Sequence, residues 1–270
     1  MNETGAVPQT HADDPGGAQA SPQAPRAPRT RTRRSTIMLA VIAVVSGLAF
    51  ATVFAFAVTR LGARGSNPPL RPSGIPASVS TKLAGMMQLS PVPVAAAPGF
   101  TLTDQLGRPV SLSSFRGRPV VLTFMDSHCT DICPLVSREF INAEKDLGSA
   151  ARNAVFLAVN VNQYHRRIAD MASFSSAEGL DTIKSWHFVT GPLRDLRTVW
   201  SNYQIMVQAP SRNADVIHTS LIYFIDSQGR ERYVAAPMVD HTAKGMSYLP
   251  PGQLAAWGRG IALVARAVSG

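Results

Sequence analysis

Thiols are scarce in this 270-residue chain: Cys129 and Cys133 are the only two cysteines. Thiol chemistry is therefore confined to one five-residue window, and no cysteine stands near the N-terminal apolar segment to carry a lipid anchor. Charge is sparse at 16% of residues, and the acidic sign is the rarer, 17 Asp and Glu against 26 Lys and Arg for a net charge of +9. Much of that excess is an arginine cluster between residues 26 and 34, which needs no partner beyond anionic lipid headgroups. No run of Lys or Arg interleaved with aromatics occurs elsewhere, so a solvated basic surface is expected and nucleic-acid binding is not. No internal repeat is present.

Residues 1–35 carry almost no large apolar side chains and are rich in Pro, Gly, Ala, Gln and Thr. Such a segment buries too little surface to offset its ordering entropy, and a disordered, Arg-rich cytoplasmic tail is expected. Residues 36–58 contain no charge at all. A helix of that length spans the ~30 Å hydrocarbon core of a bilayer, so a single transmembrane anchor is expected there. Ala55-Phe56-Ala57 has the small-x-small form of a cleavage site, which leaves a cleaved leader as the alternative. The apolar stretch continues through that site and favours the uncleaved anchor. Arg26, Arg29, Arg31, Arg33 and Arg34 outweigh Arg60, Arg64 and Arg71 on the other flank. That bias keeps the tail in the cytoplasm and puts the rest of the chain outside a cell membrane crossed once.

Residues 59–95 carry repeated Gly and Pro and read as a stiff linker that holds a folded domain, 96–270, off the membrane. Met86-Met87 in this stretch reads as an apolar plug against the domain, with a thioether copper contact as the lesser alternative.

The two cysteines stand between an apolar, β-branched run at 119–124 and a segment in which Leu135, Val136, Phe140, Ile141 and Leu147 recur at helical spacing. They therefore occupy a strand-to-helix turn, with Pro134 in the first helical turn and Gly148 near its end. Thiols four residues apart at a helix start share one face and can close a disulfide. The positive end of the helix dipole also favours thiolate. Such a dithiol can cycle its redox state or hold a soft metal. A purely structural disulfide is the weaker reading, because so short a loop constrains the unfolded chain little.

Further strands are expected at 100–102, 110–112, 155–161 and 186–189, with helices near 167–178 and 193–203. A hairpin is expected from 221–225 through Asp226-Ser-Gln-Gly229 to 231–235, and a last helix presents Leu254, Trp257, Ile261, Val264 and Val268 on one face. Strands alternating with helices and ending in a hairpin indicate an α/β fold with a mixed central sheet flanked by helices.

Phe100-x-Leu-x-Asp104-x-x-Gly107-x-x-Val110-x-Leu112, continuing to Phe115-x-Gly117-x-x-Val120-Val-Leu-x-Phe124, is similar to the opening of thioredoxin-like redoxin domains. The Cys-x-x-x-Cys-Pro that follows resembles the Sco/SenC family, as do Leu193-x-x-Leu196-x-x-Val199-Trp-x-x-Tyr203 and Val216-Ile-His218 leading into Asp226-x-x-Gly229. The resemblance covers about residues 99–268. It implies a membrane-tethered protein of thioredoxin-like fold that delivers copper to the copper-bearing subunit of cytochrome c oxidase, or to another exported copper or thiol client. It implies Cys129, Cys133 and His218 as ligands for Cu(I), with Cu(II) left open. Two thiolates suit a soft ion, and one imidazole completes a three-coordinate site. Two departures mark a diverged branch: Thr130 stands where the family often has proline, and Asn160-Val-Asn-Gln-Tyr-His165 replaces the usual Asp-Pro pair.

The alternative function is thiol-disulfide exchange, with Cys129 attacking a client disulfide and Cys133 resolving it, in which case the pair is catalytic. Thr219-Ser220-Leu221 lacks the proline that thioredoxin-type reductases place before the hairpin strand, which favours the metal reading. A peroxidase is the weakest reading, since the accompanying Thr and Pro are missing. His128 is expected to point away from the metal, and His165, His187 and His241 to be surface or hydrogen-bonded histidines. Asp126 and Asp131 read as helix-capping residues.

Overall fold

A computed structural model describes residues 73–270. The tail and anchor expected over 1–58 lie outside the described residues, and no helix among those described is long and apolar enough to cross a membrane.

The chain enters through helix α1 (Thr81–Met86), capped by the Ser80 hydroxyl accepting from Leu83 N at 3.2 Å, and strand β1 (Ser90–Ala96). A small ribbon of β2 (Thr101–Thr103) and β3 (Pro109–Ser111) leads to the central strand β4 (Val120–Met125) and helix α2 (Ile132–Leu147). Then follow β5 (Val155–Asn160), α3 (Ile168–Ala177), β6 (Trp186–Val189) and α4 (Leu193–Asn202). The short pair β7 (Val207–Gln208) and β8 (Ile217–His218) precedes the hairpin of β9 (Ile222–Ile225) and β10 (Arg230–Ala235). A second short pair, β11 (Asp240–His241) and β12 (Ser247–Tyr248), leads into α5 (Pro251–Ala267).

Six strands form one sheet in the order β1-β10-β9-β4-β5-β6. β4 runs parallel to β5 and antiparallel to β9, and β9 pairs antiparallel with β10. A β-α-β unit joined to an antiparallel hairpin and a closing helix is the thioredoxin-like arrangement, as expected. All six residues of β4 and of β5 are buried, because helices or loops cover both faces of the sheet. The period-2 alternation sends Val121, Phe156 and Phe224 toward Phe140 of α2 and Trp257 and Ile261 of α5. It sends Leu122, Phe124 and Leu157 the other way, toward Leu196, Val199 and Trp200 of α4. Gly258 lets α2 and α5 approach closely, since a Cβ there would lie 3.1 Å from the backbone nitrogen of Ala143.

The linker expected over 59–95 is not a spacer in its described part. β1 is an edge strand of the main sheet, with Ser90 opposite Val234 and Ala96 opposite Arg230. Proline misleads here because Pro91 and Pro93 occupy an edge strand, where a missing N–H is tolerated. Met87 is fully buried against α5, which agrees with the apolar-plug reading.

Candidate metal centre

β4 delivers the chain to the cysteine window at the end of the sheet, and the local geometry follows from Asp126. This buried carboxylate accepts from the backbone N–H of His128 and from Asn162 Nδ2, both at 2.9 Å on Oδ1. The turn continues with Cys129 N–H donating to the Asp126 carbonyl at 3.2 Å. Capping is therefore not the role of Asp126. Asp131 stands at the N-cap position of α2 without a side-chain cap bond, and its Oδ1 accepts instead from Ser247 N at 3.1 Å, fastening the β11–β12 ribbon to the helix start.

The sulfur of Cys129 serves the first turn in place of a cap. It accepts the N–H of Cys133 at 3.3 Å, one of the donors that a helix start leaves without an intrahelical partner. Both cysteines are free thiols, Cys129 partly exposed and Cys133 buried. The hydrogen bond from the Cys133 thiol, with backbone N–H groups of Cys133 and Asp131, lowers Cys129 to about 7 against burial and the Asp126 charge. Cys133 is pushed well above the ordinary thiol range because its S–H donates a hydrogen bond to Cys129 and it is buried. Near neutral pH Cys129 is therefore close to its ionisation midpoint, while Cys133 beside it keeps its proton.

His218, at the end of β8, lines the same cleft as Cys129, a cavity of about 720 Å³ also bordered by Asp126, His128 and His165. Its Nδ1 lies 3.1 Å from the Thr219 carbonyl. A carbonyl only accepts, so Nδ1 carries the proton and Nε2 keeps its lone pair, the tautomer suited to ligation. Burial lowers the His218 pKa and keeps the ring neutral, against the opposing pull of the Thr219 carbonyl and Asp126. Cys129 and His218 share the cleft wall while Cys133 lies buried beneath. Their donor atoms do not all come within 4.8 Å, a closeness that among the described residues is reached by His128, His165 and Asp170.

The other histidines divide. His187 Nδ1 is 3.2 Å from Asp104 Oδ2 and is a hydrogen-bonded histidine, as expected. The His128 ring lies against that of His165, with centroids 3.8 Å apart and the planes tilted by 35°. The Asn162 amide was not legible as a site residue. The only sequence signal was the run of short polar residues after β5, where Asn162 Oδ1 accepts from Tyr164 N at 2.9 Å and His165 N at 3.0 Å.

The SCO1/SenC family model matches residues 91–243. This chain belongs to the SCO1/SenC family. The Bacillus subtilis SCO1 protein homolog is 23% identical over 133 residues, 48% of this chain and 68% of that protein. The chloroplastic peroxiredoxin Q of Sedum lineare is 33% identical over 93 residues, a third of this chain and half of the relative. Among solved structures, Bradyrhizobium japonicum ScoI with copper bound matches at TM-score 0.49 and 22% identity, covering 64% of this chain and 99% of that one. Within this SCO1/SenC chain, the two cysteines and the histidine lie inside the matched segment.

Proposed function

We propose that the chain is an extracytoplasmic copper carrier that binds Cu(I) through Cys129, Cys133 and His218. The observation that carries this reading is a low-pKa thiol and a neutral imidazole on one cleft: Cys129 lowered to about 7, and His218, its Nδ1 occupied by the Thr219 carbonyl, lining the same cavity. A soft cation prefers such donors. Cys133 enters as a thiol, so loading releases its proton, and affinity rises with pH until that thiol is ionised. The cleft is open, so an incoming thiolate of a partner can replace one donor at a time. The recipient is the copper-bearing subunit of a cytochrome c oxidase or another exported copper protein, as the family implies. An anchor over 36–58 would hold the carrier at the cell membrane.

Thiol-disulfide exchange is the second reading. It is favoured by the same asymmetry, an accessible low-pKa Cys129 beside a buried, protonated Cys133, which suits an attacking and a resolving thiol.

A competition titration with a Cu(I) chelator on the reduced full-length chain, wild type and His218→Ala, separates the two. Stoichiometric binding that falls at least tenfold in His218→Ala is the expected result. Weak binding indifferent to His218 would overturn the carrier reading and leave the exchange reading.

A further inference from the structure

The run Asn160-Val-Asn-Gln-Tyr-His165 ends in a histidine whose ring lies against that of His128, centroids 3.8 Å apart. Neither ring has a role in the Cys129, Cys133 and His218 donor set. Beside them stands Asp170, a buried carboxylate in the first turn of α3. One donor atom from each of His128, His165 and Asp170 lies within 4.8 Å of the others. Ligands on a common metal ion with bonds of about 2.1 Å stand roughly 3–4 Å apart, so small rotamer changes close the set.

Two loops meet here by construction of the backbone and not by chance contact of surface side chains. Asp126 Oδ1 accepts from His128 N and from Asn162 Nδ2, and Asn162 Oδ1 accepts from His165 N. A single carboxylate-amide contact therefore holds the backbones of both histidines in register with each other. Asn162 is 3% exposed, which shields that contact from water. Asp170 is oriented in turn by Arg167, whose N–H, Nε and Nη2 donate to it at 3.1, 3.2 and 2.7 Å. The Arg167 side chain is 80% exposed, so this ion pair is weak, and a carboxylate has about four lone-pair directions to share.

We propose that His128, His165 and Asp170 form a second metal site, for a divalent first-row cation with Cu(II) foremost, at the rim of the thiol cleft. Two imidazoles and one carboxylate are borderline donors, and the order of divalent affinities puts Cu(II) above its neighbours. The site differs in kind from the thiolate site: it takes the harder, oxidised ion. Both histidines line the cleft that holds Cys129, so the two sites open on one cavity.

The test uses the full-length chain carrying Cys129→Ser and Cys133→Ser, titrated with Cu(II) alone. One equivalent should bind, with a paramagnetic resonance spectrum of two nitrogen donors. His128→Ala and His165→Ala should each weaken binding at least tenfold, and His218→Ala should leave it unchanged. No change in either of the first two variants, or dependence on His218, overturns the site. With the cysteines intact, His165→Ala should still bind Cu(I) as wild type does. A parallel loss of Cu(I) would mean the two sites are not separate and would also overturn the proposal, whereas failure of the Cu(I) reading in wild type alone would leave it standing.

Discussion

The sulfur of Cys129 accepts the backbone N–H of Cys133 at 3.3 Å, so the first cysteine occupies the place that a capping side chain holds in most helices. The helix start and the thiol chemistry are thereby one structure. The N–H that would otherwise lack a partner stabilises negative charge on sulfur, and the second cysteine is carried under it into the core.

That arrangement predicts unequal thiols. Alkylation of the reduced protein should modify Cys129 first, its rate rising with pH through a midpoint near 7, while Cys133 stays unmodified in the folded state. Cys133→Ala removes the largest stabilising contact and should move the Cys129 midpoint up toward the ordinary thiol value of about 8.5. Rate against pH with iodoacetamide, read by mass spectrometry, checks both points.

Oxidation should expel bound copper. A Cys129–Cys133 disulfide has no thiolate to offer, which leaves His218 alone among the three proposed donors. Copper retained by the thiolate site after complete oxidation, with thiols counted at zero and the His165→Ala change removing the second site, would contradict the three-donor arrangement.

Glu139 predicts a pH-dependent stability. It lies in α2 at 1% exposure, neither carboxylate oxygen has a protein hydrogen-bond partner, and burial pushes its pKa up to about 8. The folded value exceeds the unfolded one, so the unfolded chain gives up its proton first as pH rises. Stability is full below pH ~4.5, falls as pH rises toward about 8 and levels off beyond, with an upper limit near 5 kcal/mol for the whole span. Glu139→Gln should flatten this part of the profile, measured as urea midpoints from pH 5 to 9.

The N-terminal edge predicts where the folded domain begins. A chain starting at residue 96 loses all of β1 but Ala96, together with the buried Ile75, Val79, Ala84, Met87 and Leu89, whereas one starting at residue 73 keeps them. Removing the four large side chains among these costs several kcal/mol, at about 1.5–3 kcal/mol for each. The shorter form should melt at least 10 °C lower by circular dichroism, and equal melting temperatures would show that β1 is dispensable.

Much of this protein was legible in its sequence for a simple reason: periodicity and turn chemistry are local. The largely apolar 120–125 segment, the helix opened near Pro134 and stopped at Gly148, and the Asp226-Gly229 hairpin all rest on residues close together in the chain. The cysteine pair was legible on the same ground, since both thiols belong to one helix start. His218 rested on family resemblance, because 85 residues separate it from Cys133 and no local signal connects them.

Tertiary structure decided the rest. Pro91 and Pro93 read as spacer until β10 supplied a partner strand, since edge position is a property of the sheet and not of the segment. Asp126 and Asp131 read as caps by position, but Asn162 and Ser247, far away in sequence, offered better donors. Glu139 carries no sequence mark of its raised pKa, which comes from the water that packing excludes. Amino-acid order sets the chemistry on offer: two thiols and a few imidazoles. Which of those groups meet, and in which protonation state, was decided by long-range contacts that fix distance and dielectric together.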